Sequence, residues 1–252
     1  MKKELIVKKL QIIMPMAGEG SRFVKQGWTT PKPLIEVKGH KLFERAINSI
    51  QVDQIDIKHT FIIRQEHADK YKLDAILKKI FPKANILFIK KTTRGAAETC
   101  YLAAKDFSPN DALLILDCDL EFRSSCFYHA IKDSIMTDNS SLDGALVSFK
   151  ANSPRYSYAK IDANDFVTET AEKQVISENA LCGAYFFSKN IDFLQATKVL
   201  FNSLNYQNKE LYISLLFNEM IKANKKIKLF HTEVYHSFGT PEEIQDYYAR
   251  NK

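Results

Sequence analysis

The stretch from Met14 to Leu34 reads MPMAGEGSRFVKQGWTTPKPL, and it continues directly from an apolar run, Leu10-Gln11-Ile12-Ile13-Met14. A continuous apolar run closed by Pro15 and small residues suits a strand buried on both faces, as in a parallel sheet. Gly18 and Gly20 then turn the chain where that strand ends, which is where open α/β sheets hold their ligands. Ser21, Arg22 and a lysine held between prolines, Pro31-Lys32-Pro33, follow.

The loop is not a Walker loop, because G-x-x-x-x-G-K-[ST] is missing. It is not a dinucleotide fingerprint either, since Phe23 stands where the third glycine belongs. Glycines alone would mark only a tight strand-to-helix turn. The added cations change the chemistry. Backbone N–H groups near Gly18 to Ser21 can wrap phosphate oxygens. Arg22 can grip a phosphate bidentately, and Lys32 offers a compact point charge. Together they suit a triphosphate; a surface turn with incidental cations is the alternative.

At 252 residues with 45% hydrophobic and 26% charged residues, the chain can bury a full core. No apolar run approaches the ~20 residues of a membrane helix, and Lys8 and Lys9 interrupt the apolar start well short of a signal-peptide core. We expect a cytoplasmic protein without membrane attachment. The net charge of +6 comes from scattered lysines, such as Lys78-Lys79 and Lys225-Lys226. This suits a solvated surface that weakly attracts anions and does not call for nucleic acid. Cys100, Cys118, Cys126 and Cys182 form no C-x-x-C pair, so buried free thiols are expected.

Strands are expected at Leu10 to Met14, His59 to Arg64, Asn85 to Ile89, Ala112 to Leu116 and Ala145 to Phe149. Helices are expected over Lys41 to Ile50, His67 to Phe81, Ala97 to Lys105 and Cys126 to Met136. This alternation predicts a parallel sheet with right-handed crossovers. Further on the pattern becomes irregular. A hairpin is expected from Tyr158 to Thr170, strands at Ala184 to Phe187 and Ile227 to Phe230, and an amphipathic helix from Glu210 to Ala223. Thr240-Pro241-Glu242-Glu243 is a capped helix start. No linker or repeat divides the chain, so one domain spans residues 1–252.

Several motifs recur in one known family. P-M-A-G-x-G-S-R-F followed by P-K-P-L, then Thr93 to Thr99, Asp117-Cys118-Asp119, Ser157 to Lys160, Ala171-Glu172-Lys173, Gly183-Ala184-Tyr185 and Phe238-Gly239-Thr240-Pro241-Glu242-Glu243 together cover nearly the whole chain. This set resembles the sugar-phosphate nucleotidyltransferase family, and within it the variant of capsule and surface-polysaccharide gene sets. The resemblance implies a single GT-A-like (Rossmann-like) α/β domain with a central mixed, mostly parallel sheet flanked by helices. Residues 10–150 would form a nucleotide-binding half and residues 151–252 an acceptor-binding half.

The implied reaction moves a nucleoside monophosphate from a nucleoside triphosphate, CTP favoured, to a small phosphorylated acceptor such as phosphoglutamine or a sugar 1-phosphate, with pyrophosphate released. Arg22 and Lys32 would act on the phosphates as catalytic residues. Met16, Ala17, Gly18, Glu19, Gly20 and Ser21, with Gly95, Ala96 and Ala97, would bind the nucleotide. Glu172, Lys173 and Gly183 would bind the acceptor, and Asp119 would hold Mg²⁺ as cofactor.

Taken alone, Asp117 and Asp119 equally suit a helix cap, and Glu172-Lys173 an ordinary solvated pair. The chain also departs from the family pattern. Many relatives carry a second metal aspartate in D-x-G-T, where this chain has Ser237. Two other readings stay open: a GT-A glycosyltransferase using Asp117-Cys118-Asp119 as its D-x-D motif, and a non-catalytic nucleotide-binding module. Base, acceptor and oligomeric state are not assigned by any motif.

Overall fold

A computed structural model describes residues 9–137, 142–203 and 209–251. In its first part, β1 (Leu10–Met16) leads through the glycine turn into a short helix, α1 (Ser21–Val24). A small hairpin of β2 (Glu36–Val37) and β3 (His40–Lys41) precedes α2 (Leu42–Asn48). Then come β4 (Ile57–Arg64), α3 (Gln65–Tyr71), α4 (Leu73–Ile80), β5 (Asn85–Ile89), α5 (Ala96–Ala104), β6 (Ala112–Leu116), β7 (Leu120–Arg123) and α6 (Ser125–Met136). The remainder holds β8 (Gly144–Lys150), β9 (Ser157–Ile161), β10 (Val167–Glu172), β11 (Asn179–Phe187), α7 (Asn190–Asn202), α8 (Ile213–Lys222), β12 (Ile227–His231), β13 (Val234–Ser237) and α9 (Pro241–Arg250).

The central sheet has the expected mixed character. Strand β1 pairs in parallel with β4 and β6, and β4 with β5. Side chains alternate across it with a period of two. Ile12, Met14, Phe61, Ile63, Leu114 and Leu116 face a core layer shared with Phe43, Leu77 and Phe127. Ile13, Ile62, Leu113 and Ile115 face the other, with Cys100, Phe193, Leu216 and Phe217. Helices thus cover both faces, which is why β1 and β6 tolerate unbroken apolar runs.

Strand β11 reverses the direction, antiparallel to both β6 and β8. The sheet then parts along one edge of β11. Residues Ala184 to Phe187 pair with β6, while Ala180 pairs with β9. Between them the register slips, and Gly183 has φ +95. A Cβ there would lie 2.7 Å from Asp117 Oδ2, so only glycine lets the strand pass the carboxylate. The crevice at this parting is where the motifs converge.

Four expectations are corrected. The helix expected from His67 to Phe81 is two helices, because Lys72 adopts a left-handed conformation, φ +54, between α3 and α4. The helix expected from Glu210 begins only at Ile213. Strand Ala145 to Phe149 does not extend the parallel run; β11 lies between it and β6. Cys100, Cys118 and Cys182 are buried free thiols as expected, but Cys126 is exposed on the first turn of α6.

A third apolar cluster joins Phe23, Ile35, Val37 and Leu42 to Phe238 and Ile244, tying the glycine loop to the last helix. The capping box at Thr240 is formed as read: its side chain accepts the Glu243 N–H at 3.3 Å, and the Glu243 carboxylate accepts the Thr240 N–H at 3.1 Å. Removing the hydroxyl in Thr240→Ala should cost about 1 kcal/mol of stability. A shift of the urea midpoint without a change of slope is the expected signature, and an unchanged midpoint would show that Glu243 caps the helix alone.

Candidate active site

Strand β6 is buried along its full length and ends on Asp117-Cys118-Asp119. Two cavities open at this point. The larger, about 810 Å³, is lined by Pro15 to Gly18, Pro33, Thr92 to Gly95, Thr99, Cys118 and Lys209. The smaller, about 450 Å³, is lined among others by Ser21, Arg22, Arg155 to Ser157, Glu172, Lys173, Gly183, Tyr235, Ser237 and Glu243. Gly20, Lys32, Ala96, Asp117, Asp119, Glu210 and Tyr212 line both and form a common floor.

Lys32 and Asp119 form an ion pair in that floor. Burial works to lower the Lys32 ammonium, but Asp119, with Cys118 and Asp117 behind it, holds it above its ordinary value. Burial, reinforced by the neighbouring Asp119, pushes the Asp117 carboxyl up to about 7. Its backbone N–H donates to the Gly183 carbonyl at 2.9 Å, which locks the end of β6 to the slipped strand. Burial also raises the Glu172 carboxyl, against the Ser157 and Ser214 hydroxyls that donate to its Oε2. Arg22 is exposed and forms no hydrogen bond or ion pair among the described residues.

Lys173 follows β10 with φ +56, its N–H donating to the Tyr156 carbonyl at 3.1 Å. Its ammonium lies 4.4 Å from the Tyr212 ring centroid and donates to the Tyr212 hydroxyl, which donates to Glu210. Leu211, between these last two, is fully buried. Its N–H donates to the Arg94 carbonyl at 2.8 Å, and its carbonyl accepts the Ala97 N–H at 2.9 Å. Residues 210–212 therefore strut the wall of one cavity against the other.

Of the residues singled out from the sequence, Met16, Ala17, Gly18, Gly95 and Ala96 line the larger cavity. Ser21, Arg22, Glu172, Lys173 and Gly183 line the smaller, and Gly20, Lys32 and Asp119, like Ala96, line both. Arg22 thus opens toward the smaller cavity rather than the one the loop itself lines. Two residues lie outside. Glu19 is exposed and faces Arg64, 3.9 Å away. Ala97 is buried in the core with its N–H spent on Leu211. Gly95 also packs tightly, since a Cβ on it would meet the Leu211 backbone at 2.6 Å.

Glu210, Tyr212, Arg155 and Tyr156 were not anticipated, and Glu243 was read only as part of a motif and a capped helix start. Glu210 and Tyr212 read as helix, and only the Leu211 bonds reveal an extended strut. Arg155 and Tyr156 stand before the predicted hairpin with no pattern of their own. Arg155 forms an ion pair with Glu243 Oε1 at 3.0 Å, and the Tyr156 hydroxyl donates to the same oxygen at 3.1 Å.

Among the described residues no three His, Cys, Asp or Glu side chains cluster as a metal cage. Mg²⁺ does not require one: it is commonly held by one or two carboxylates together with substrate phosphates. Asp119, a hard oxygen donor now paired with a cation at a cavity floor, fits that use.

With this geometry in hand, the comparisons decide the family. A model of the nucleotidyl transferase family matches residues 10–244. The chain belongs to that family. No curated protein matches it in sequence. Among solved structures it is similar to a nucleoside-diphosphate-sugar pyrophosphorylase from Vibrio cholerae RC9, at 27% identity and TM-score 0.77 over 94% of this chain and 98% of that one. It shares its fold with an inositol-1-phosphate CTP transferase from T. maritima, at 13% identity and TM-score 0.72, covering 94% and 91%. It also shares it with a UDP-glucose pyrophosphorylase from Acinetobacter baumanii, at 14% identity and TM-score 0.69, covering 96% and 92%.

The strut yields a prediction. Gly95→Ala drives a methyl group into the Leu211 backbone and should cost about 1–3 kcal/mol. Urea unfolding would read this, and a variant as stable as the parent would mean the Leu211 contact gives way freely.

Proposed function

We propose that this nucleotidyltransferase transfers a nucleoside monophosphate from a nucleoside triphosphate, CTP favoured, to the phosphate of a small acceptor, phosphoglutamine or a sugar 1-phosphate. Pyrophosphate is the second product. The setting proposed is the cytoplasm, in the synthesis of capsule or surface-polysaccharide precursors. The observation that carries the reading is the shared floor: two cavities meet over Lys32 and Asp119, as a direct transfer between two bound ligands requires. The choice of CTP and of the capsule variant rests on the set of sequence motifs.

In this reading the larger cavity takes the nucleotide against Met16 to Gly20 and Gly95-Ala96. The smaller takes the acceptor, whose phosphate meets Lys173 while Glu172 orients its polar groups. Residues 10–150 supply most of the first surface and residues 151–252 most of the second. Lys209, Glu210 and Tyr212 cross over to the nucleotide side, and Ser21 and Arg22 to the acceptor side.

An acceptor phosphate oxygen forms the new bond to the α-phosphorus as the bond to the β-phosphate oxygen breaks. The nucleophile is already an anion, so no side chain has to take a proton. Catalysis is then positioning plus stabilisation of phosphoryl charge. Lys32 neutralises the α-phosphate, and the exposed Arg22 side chain is assigned to the β- and γ-phosphates, which it reaches by turning from the smaller cavity across the shared floor. Asp119 would hold Mg²⁺ together with phosphate oxygens, and the ion would supply further neutralisation of that charge.

The test is a matrix of four triphosphates against phosphoglutamine and several sugar 1-phosphates, read by pyrophosphate release. CTP with one phosphorylated acceptor should give the fastest release. Release of a nucleoside diphosphate from a nucleotide sugar would instead make this a glycosyltransferase, and binding without turnover a sensing module. Lys32→Ala should lower kcat by roughly 100-fold or more while the nucleotide Kd changes only a few-fold. Near-normal turnover would remove Lys32 from its assigned role.

A further inference from the structure

The two floor residues expected to handle phosphate and cation are joined to each other instead. Lys32 is paired with Asp119, and their side chains are only 24% and 21% exposed. The neighbouring position that could offer a second oxygen is also committed. The β7–β13 ladder sets Ser237 opposite Leu120, next in sequence to Asp119, and the Phe238 N–H donates to the Asp119 carbonyl at 2.8 Å. The Ser237 hydroxyl does not turn to Asp119; it donates to Glu243 Oε2 at 2.7 Å.

Glu243 itself lies close by. A Cβ built on Gly239 would be 3.1 Å from Asp119 Oδ2 and 3.2 Å from Glu243 Oε2. Yet Glu243 Oε2 already accepts the N–H groups of Gly239 and Thr240, at 2.7 and 3.1 Å, and its Oε1 takes Arg155 and Tyr156. Of these neighbouring carboxylates, one is capped by an ammonium and the other by a full set of donors. A bare divalent ion approaching Asp119 would meet the Lys32 charge within a poorly solvated floor, where repulsion is far stronger than in water.

We propose that Lys32 is the resident counter-ion of Asp119 and closes that carboxylate to divalent cations until a triphosphate arrives. The arriving phosphate oxygens give Lys32 another anion to pair with, and give the cation the ligands that Ser237 does not provide. Lys32 moves to the phosphate and Asp119 becomes free. Cation and nucleotide then bind with positive coupling, each raising the affinity for the other. The inference rests on the proposed nucleotide reading, both for the use of Asp119 toward a cation and for the triphosphate that draws Lys32 away.

The test uses Mn²⁺ alone as probe, with the full chain, no nucleotide, and free Mn²⁺ read by electron paramagnetic resonance. The parent protein should show weak or no saturable binding, and Lys32→Met should bind Mn²⁺ about tenfold tighter or more. Adding Asp119→Asn to Lys32→Met should abolish the gain. Lys32→Gln gives a second neutral side chain should the Met variant fail to fold, which a thermal melt would reveal. Equal affinity in parent and Lys32 variants, whether both bind or neither does, overturns the proposal, as does a gain that survives Asp119→Asn. Pyrophosphate release by the parent protein with Mg²⁺ is measured separately, so a failure of the nucleotide reading is told apart from a failure of the Lys32 closure.

Discussion

Strand β6 is apolar and buried throughout, and it delivers two carboxylates to a place where water reaches them poorly. Charges so placed must find other partners or become neutral. Asp119 takes Lys32, which arrives from the far end of the glycine loop. Asp117 is held against Gly183 and is pushed toward its neutral form. The loop, the slipped strand β11 and the β7–β13 ladder all converge because those carboxylates need them there. The site is the solution to that burial problem as much as it is a place for ligands.

The same economy appears in how the cavities are joined. Leu211 is at once a core residue, a hydrogen-bond partner of Arg94 and Ala97, and the hinge between Glu210 and Tyr212. Through Tyr212 it reaches Lys173, and through Arg94 and Ala97 the base of the larger cavity. Glu243 is comparably shared, since it caps α9 and also fixes Arg155 and Tyr156 at the rim of the smaller cavity. A change in either residue would disturb packing and ligand surface together.

Legibility followed the range of the interactions. Strands β1 and β6 were readable because both faces are buried, which leaves nearly continuous apolar runs, whereas the apolar residues of β4 and of the partly exposed edge strand β5 were enough to mark them. Most loop and motif residues reached the cavities, because a strand end and the turn after it are set locally. Failures came where a single left-handed residue or a distant contact decided. Lys72 breaks a helix that periodicity carries straight through. Leu211 pulls its neighbours out of a helical pattern, and Ala97 is turned into the core by that contact. Strand β7 exists as a strand by pairing with β13, more than a hundred residues later.

By itself, the sequence determined that the chain forms a layered α/β structure with a phosphate-suited loop at a strand end, and which residue types surround it. Those features rest on hydrophobic periodicity, glycine turns and charge placed within a few residues of one another. Tertiary structure decided which charged groups pair: Lys32 with Asp119, Arg155 with Glu243, and Lys173 with Glu210 beside the Tyr212 hydroxyl. Pairing between residues far apart in the chain depends on how strands slip and part, as β11 does at Gly183, and no local pattern encodes that.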